Sequence, residues 1–243
     1  MRNIKKIMLV NLLLLALFVG ARVLIAYVPN RRELLRRAQE AYAQNGESEA
    51  DNRWAYFLIN AEHPLPEDYA PALSAVQDTF MMDERCAAYA REMIAAAEAD
   101  GVRLKVVSAY RSIQKQRENL DAYILRLENE GHSPDQAEKL AREEIAEPGT
   151  SEHNAGLALD ILTEDWWDDH DDVTADFENT EEYLWLSAHA HEYGFILRYP
   201  KGYEKVTDYV YEPWHYRFVG VYYAERIRES GLPFEYYYIS GEK

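Results

Sequence analysis

The residues best equipped for chemistry lie in Ser151-Glu152-His153-Asn154-Ala155-Gly156-Leu157-Ala158-Leu159-Asp160. His153 offers an imidazole and Asp160 a carboxylate, both good ligands for a divalent cation such as zinc. The small residues between them leave room for an ion. Leu157, Leu159 and Ile161 alternate with Ala158 and Asp160, the pattern of a strand with its apolar face turned inward. On one unbroken strand His153 and Asp160 would point to opposite sides. The turn signal Asn154-Ala155-Gly156 breaks the strand after His153 and lets both face one ion. Two ligands do not complete a site. The third comes from Glu212-Pro213-Trp214-His215, where proline within a strand marks an edge or a bulge. A bulge would bring Glu212 and His215 to the same side. The set is then His153, Asp160 and His215 with a fourth position open for water, the layout of a catalytic site. Glu212 lies close enough to act as general base without being a ligand. A lone buried histidine is usually a hydrogen-bonded core residue; four such residues in two tight motifs argue against coincidence.

The surrounding pattern predicts the elements that hold these residues. Residues 83–99 are alanine-rich and helical, and Gly101 stops them. Residues 102–107 alternate as a strand that runs into Ser108-Ala109-Tyr110-Arg111-Ser112, a polar cluster at a strand end, where binding residues often sit. A helix follows over 113–130. Ser133-Pro134-Asp135-Gln136 starts another, with a capping serine, proline at the first position and glutamine at the third, and it ends before Pro148-Gly149. Thr180 caps a helix that Gly194 stops. Residues 55–59 and 195–199 read as short strands, 208–219 as a long aromatic strand and 221–229 as a helix. His189 and His191 are too close in sequence to share a helix face, so they form no two-histidine metal site. His63 reads as a surface-loop residue in the proline-punctuated His63-Pro64-Leu65-Pro66. The run from Glu164 to Glu178 lacks the glycine of a calcium loop and reads as a solvated acidic loop, with Trp166 and Trp167 available for a partial lid.

Composition bounds the rest. The chain has 243 residues, 48% hydrophobic and 13% aromatic, enough for one sizeable packed domain. Its formal net charge of -17 argues against a nucleic-acid partner, which would call for a basic face. The single cysteine, Cys86, excludes an intramolecular disulfide and reads as a small buried hydrophobe. At the N-terminus a basic leader (1–6) precedes an apolar stretch (7–28) about long enough to cross a bilayer, for which roughly 20 residues suffice. It is expected to be a transmembrane anchor or signal segment, followed by a juxtamembrane helix and linker (29–53) and the folded domain (54–243). Basic residues flank the apolar stretch on both sides, so the positive-inside rule gives a mixed answer.

Ser151-x-His153-x-x-Gly156-x-Ala158-x-Asp160 together with Glu212-Pro213-Trp214-His215-Tyr216-Arg217 resembles the VanY-type D-alanyl-D-alanine carboxypeptidases, zinc peptidases of bacterial cell-wall metabolism of the M15 type. Ser108-x-Tyr110-Arg111-Ser112-x-x-x-Gln116, His63-Pro64-Leu65-Pro66 and the run from Tyr193 to Pro200 reinforce it, over roughly residues 60–220. The resemblance implies one Zn2+ held by His153, Asp160 and His215, Glu212 as catalytic glutamate, and substrate contacts from Arg111, Ser112, Gln116 and Ser151 with Tyr110 nearby. Asn154 departs from the family, in which glutamine is commoner there. The implied substrates are peptidoglycan stem peptides, from which the terminal D-alanine is removed. The alternatives are an L,D-carboxypeptidase on tetrapeptide stems and a non-catalytic, membrane-tethered wall-binding module. The implied location is the cell membrane, single-pass, with the catalytic domain on the extracytoplasmic side. The expected fold is α+β, a small, mainly antiparallel sheet with helices packed on it, preceded by an N-terminal transmembrane helix.

Overall fold

Four antiparallel strands form the floor on which the site is built. The computed structural model describes residues 49–241; the expected membrane segment at 7–28 and most of the expected juxtamembrane helix and linker lie outside them. Among the described residues no helix is long and apolar enough to cross a membrane. The strands are β3 (Lys105–Ser108), β4 (Ala158–Leu162), β5 (Phe195–Leu197) and β6 (His215–Phe218), in the order β3-β4-β6-β5. A separate hairpin, β1 (Leu73–Gln77) with β2 (Phe80–Asp83), precedes them. The main helices are α1 (Glu84–Ala99), α2 (Ile113–Asn129), α3 (Pro134–Glu144), α4 (Glu181–His189), α5 (Val221–Ser230) and α6 (Phe234–Gly241). The expected α+β architecture is present.

The strand β4 is buried on both faces. Leu157, Leu159 and Ile161 are inaccessible as expected, but so are Ala158 and Leu162. The face of α1 formed by Cys86, Ala87, Ala90, Met93 and Ala97 joins Val106, Leu157, Leu159 and Ile161 in one apolar core. Its alanines allow close approach of helix and sheet. Leu120, Leu127, Ala137 and Ala141 pin α2 to α3 in a second, smaller cluster. Cys86 is fully buried, and burial raises its thiol pKa far above the usual value.

Several expected boundaries move for identifiable reasons. The strand expected at 102–107 begins only at Lys105, because the Val102 N–H still closes α1 on Ala97 O. The helix expected to run to Tyr193 tightens into a 3-10 turn over Ala190–Tyr193, ended by a left-handed Gly194. Residues 55–59 form no strand: the Ala55 and Phe57 carbonyls accept hydrogen bonds from the Arg217 guanidinium, both at 2.9 Å, in place of a neighbouring strand. The long strand expected over 208–219 shrinks to β6. Asp208 is left-handed (φ 60), and the segment Glu212-Pro213-Trp214 is a turn in which the His215 N–H returns to Glu212 O. A turn therefore does what a bulge was expected to do. The hairpin β1–β2 is an element not expected from the sequence; its only local signal is the polar Asp78-Thr79 between two short apolar stretches that lack strict alternation.

That hairpin supports the site. The Asp83 N–H donates to Gly156 O at 2.9 Å, and the Tyr110 N–H donates to Met81 O at 2.9 Å. Gly156 is left-handed (φ 69), and a Cβ there would meet the Asp83 backbone nitrogen at 2.9 Å. Gly156→Ala should therefore lower stability by about 2–4 kcal/mol, combining backbone strain with a backbone clash. Urea unfolding measures this; a loss below about 1 kcal/mol would mean that the turn tolerates a side chain.

Candidate active site

Strand register brings two of the three expected ligands together. Asp160 of β4 and His215 of β6 are directly paired. Opposed residues of an antiparallel ladder project to the same face, and His215 Nδ1 lies 3.1 Å from Asp160 Oδ1. His153 arrives on a 3-10 turn, Glu152–Ala155, which Gly156 reverses into β4. This resolves the orientation problem posed by a continuous strand, and His153 Nε2 sits 3.2 Å from Asp160 Oδ2. The two imidazoles stand nearly perpendicular, at 87° with centroids 5.0 Å apart. One ligand atom from each residue lies within 4.8 Å of the others, and this is the metal-competent His/Asp/Glu/Cys cluster found among the described residues.

The cluster fits zinc. A tetrahedral ion with bonds of ~2.0–2.1 Å separates its ligand atoms by roughly 3.3 Å, close to both imidazole–carboxylate spacings. Asp160 Oδ1 is buried and receives no well-directed hydrogen bond despite its close neighbour, as an oxygen facing a cation would. The far nitrogen of His153, Nδ1, is 2.8 Å from Ala109 O. A carbonyl only accepts, so Nδ1 carries the proton and Nε2 is left with its lone pair toward Asp160. Electrostatics agree. Burial alone would raise the Asp160 carboxyl, but His153 and His215 outweigh it and hold it well below the ordinary range. Burial alone would lower His215, but Asp160 and Glu152 bring it up to about 10. A pocket this rich in carboxylate favours positive charge at its centre, whether proton or metal ion.

Glu212 stands beside the cluster without belonging to it. Its Oε2 is 3.7 Å from His215 Nδ1, and its N–H is tied to Tyr199 O at 3.2 Å. Burial pushes its carboxyl up, His215 opposes this, and Asp160 and Glu152 add to it, leaving about 7.

The expected substrate residues form a neighbouring patch. Arg111 donates from Nη1 to Gln116 Oε1 at 3.0 Å and from Nη2 to Ser108 Oγ at 3.2 Å. Gln116 is buried and donates in turn to Ala146 O at 2.7 Å. Ser112 caps α2, its Oγ accepting from the Lys115 N–H. Its hydroxyl therefore has a structural task. Ser151 is buried at the start of the 3-10 turn that carries His153. Tyr110 is half-buried and joined by its N–H to the hairpin. The patch and the metal ligands are clipped together. The Arg111 N–H donates to His153 O at 3.0 Å, and Asn154 donates to Arg111 O at 2.7 Å while accepting from the Gly149 N–H at 2.9 Å. Asn154 thus fills both hydrogen-bonding positions open to it on the loop.

Other readings resolve as well. His63 is exposed and bonds only locally, to Asn60 Oδ1. His189 pairs with Glu192. Trp166 is buried in the core, so it cannot serve as a lid; Trp167 is half-exposed. Glu152, Arg198 and Arg217, all fully buried, stand inside the quoted motifs but have no role assigned from the sequence. Their signal was there: charged residues inside the tight or apolar runs Ser151-Glu152-His153, Phe195–Tyr199 and His215–Phe218.

A His–Asp–His cluster with a carboxylate of raised pKa beside it, set on an α+β scaffold, has the donor set of a zinc site with a position left open. The family model described as VanY, D-alanyl-D-alanine carboxypeptidase, matches residues 79–221, and the chain belongs to that family. A D-alanyl-D-alanine carboxypeptidase of Enterococcus faecalis is 35% identical over 187 residues, which cover 77% of this chain and 66% of that relative. The chain thus spans just under two thirds of that curated relative. A glutamate-to-alanine variant of the vancomycin resistance D,D-pentapeptidase VanY, solved in complex with Zn(II), superposes with a TM-score of 0.63 at 36% identity, covering 76% of this chain and 98% of that one. The LD-carboxypeptidase LdcB gives a TM-score of 0.64 at 34% identity, covering 74% and 84%.

The raised Glu212 pKa has a stability consequence. Between about 4.5 and about 7 the folded state binds more protons at this carboxyl than the unfolded chain does, so stability falls as pH rises through that window. In metal-free protein, Glu212→Gln is expected to gain on the order of 2–3 kcal/mol over wild type at pH 8 and almost nothing at pH 4.5. Denaturant titrations with a chelator present check this; equal stability at pH 8 would show that the carboxyl ionises there without penalty.

Proposed function

We propose that this chain is a zinc-dependent D-alanyl-D-alanine carboxypeptidase that removes the C-terminal D-alanine of peptidoglycan stem peptides. The observation that carries the proposal is the convergence of His153, Asp160 and His215, with Glu212 beside them, in a member of this family. Zinc, when bound, supplies Lewis acidity, polarising a carbonyl and making water a stronger acid at neutral pH. Glu212, beside the cluster, would take a proton from the attacking water and hand it to the leaving amine. Arg111 is the residue to grip the terminal carboxylate. Gln116 and Ser108 steady its guanidinium, which has five N–H donors and so keeps some for a substrate. A grip on the chain end confines cleavage to the last residue. Ser112, Gln116, Ser151 and Tyr110 are the further candidate substrate contacts, with Gln116 bonded directly to Arg111. The basic leader and apolar stretch at 1–28 support a membrane-tethered protein with the domain, residues 54–243, outside the cytoplasm, where its substrate lies.

The test offers pentapeptide and tetrapeptide stems to the zinc-loaded protein and identifies the released residue. D-alanine from the pentapeptide is expected; release only from the tetrapeptide would make the protein an L,D-carboxypeptidase, and zinc uptake without release from either would leave a binding module. Glu212→Ala should keep its zinc and lose about 10²–10⁴-fold in kcat. Near-normal turnover would remove Glu212 from the chemistry. Arg111→Ala should lower kcat/KM by roughly 10–100-fold, mainly through KM, as expected for loss of a charge-assisted hydrogen bond. Unchanged kinetics would take Arg111 out of the site.

A further inference from the structure

Behind His215, on the side away from Asp160, four charged side chains are buried against one another. Glu152 Oε1 accepts from Arg198 Nε at 2.7 Å and from Arg217 Nη1 at 2.8 Å. Its other oxygen, Oε2, lies 3.2 Å from His215 Nε2. Arg198 also donates to Glu235 of α6, and Arg217 to the Ala55 and Phe57 carbonyls. The Glu152, Arg198 and Arg217 side chains are at most 1% exposed. This is a built arrangement, because burying such charges costs several kcal/mol each unless every one is paired.

The chemistry of the partners assigns the proton. With two guanidinium groups on Oε1, Glu152 is an ionised carboxylate and can only accept. A ring nitrogen facing it must therefore donate, so the proton that His215 keeps when its ring is neutral, as a metal ligand must be, is the one on Nε2, and the lone pair falls on Nδ1, the nitrogen that faces Asp160. His153 is treated in the mirror sense, its Nδ1 donating to Ala109 O and its Nε2 left free. We infer that Glu152 is a positioning residue of the metal site: its Oε2 holds the Nε2–H of His215, fixing the ring so that Nδ1 is turned toward the ion shared with His153 and Asp160. The two arginines act through Glu152. They orient its carboxylate and anchor it to the start of the domain and to α6, so that the ligand is held against three parts of the fold. Carboxylate partners of this kind commonly contribute about 10–100-fold to metal affinity.

This inference rests on the zinc reading above, and its test separates the two. Zinc affinity is measured by chelator competition for wild type, Glu152→Gln and Glu235→Gln. Glu152→Gln is expected to bind zinc about 10–100-fold more weakly. Glu235→Gln loosens the same buried network without touching His215 and should stay within about twofold of wild type. Equal affinity in wild type and Glu152→Gln overturns the positioning role and leaves the zinc site standing. An equal loss in both variants also overturns it, because a general loosening would then account for the effect. No zinc uptake by wild type overturns both readings. If Glu152→Gln does not fold, the zinc-loaded wild type decides alone. Long-range proton–nitrogen NMR is expected to show His215 protonated at Nε2 and coordinated through Nδ1. Coordination through Nε2 would overturn the role.

Discussion

The buried pairing of Glu152 with Arg198 and Arg217 is the contact through which the distant parts of the domain reach the site. Arg217 lies on β6, two residues beyond His215, and Arg198 directly follows β5, so both neighbouring strands put a guanidinium on the same carboxylate oxygen. Each charge would be strongly unfavourable alone in this interior; together they pair with one another and take up carbonyls that no strand reaches, leaving Arg198 Nη1 and Glu235 Oε2 as the atoms of the network without a hydrogen bond. A hydrophobic substitute could match their packing but could present no acceptor to His215. Ionic burial is thus used here for orientation rather than for net stability. Removing one member would leave a buried charge unpaired, at a cost of about 3–5 kcal/mol.

On the opposite side the site is held by neutral hydrogen bonds. The turn carrying His153, the cluster carrying Arg111 and the hairpin β1–β2 are tied by backbone and amide bonds from Arg111 to His153, Asn154 to Arg111, Tyr110 to Met81 and Asp83 to Gly156. The turn of His153 and the strand end of Arg111 therefore belong to one hydrogen-bonded unit. Under the proposed function this fixes the distance from the anchored chain end to the cleaved bond, which selects the bond that is broken. Asn154 performs its part with a side chain one methylene shorter than the commoner glutamine, and both its amide groups are engaged.

Chemistry-bearing residues were legible because the reaction limits their types. His153, Asp160, Glu212 and His215 stand in two short motifs, and Arg111 follows directly on a strand end. Helix ends were legible where capping is local: Ser133 and Thr180 start helices as their types require, whereas the cap at Ser112 emerged only in the structure. Strand lengths were not. The alternating aromatic run before His215 has strand propensity, yet Pro213 and the left-handed Asp208 keep it out of the sheet. Residues 55–59 also look like a strand, but the bonds that would show whether they are one go to Arg217, far away in sequence.

The sequence by itself determined the family and the identity of the candidate groups, since ligand chemistry is written in residue types and short spacings. Only the tertiary structure decided how those groups face one another. Asp160 and His215 share a face because β4 and β6 pair in a particular register, and His153 joins them because a 3-10 turn ending in a left-handed glycine replaces a continuous strand. Glu152 could be given its partners only there as well. Whether a buried charge is a defect or a support depends on what lies across the core from it, and the two arginines and the imidazole that answer this come from elements about 46–65 residues further along the chain.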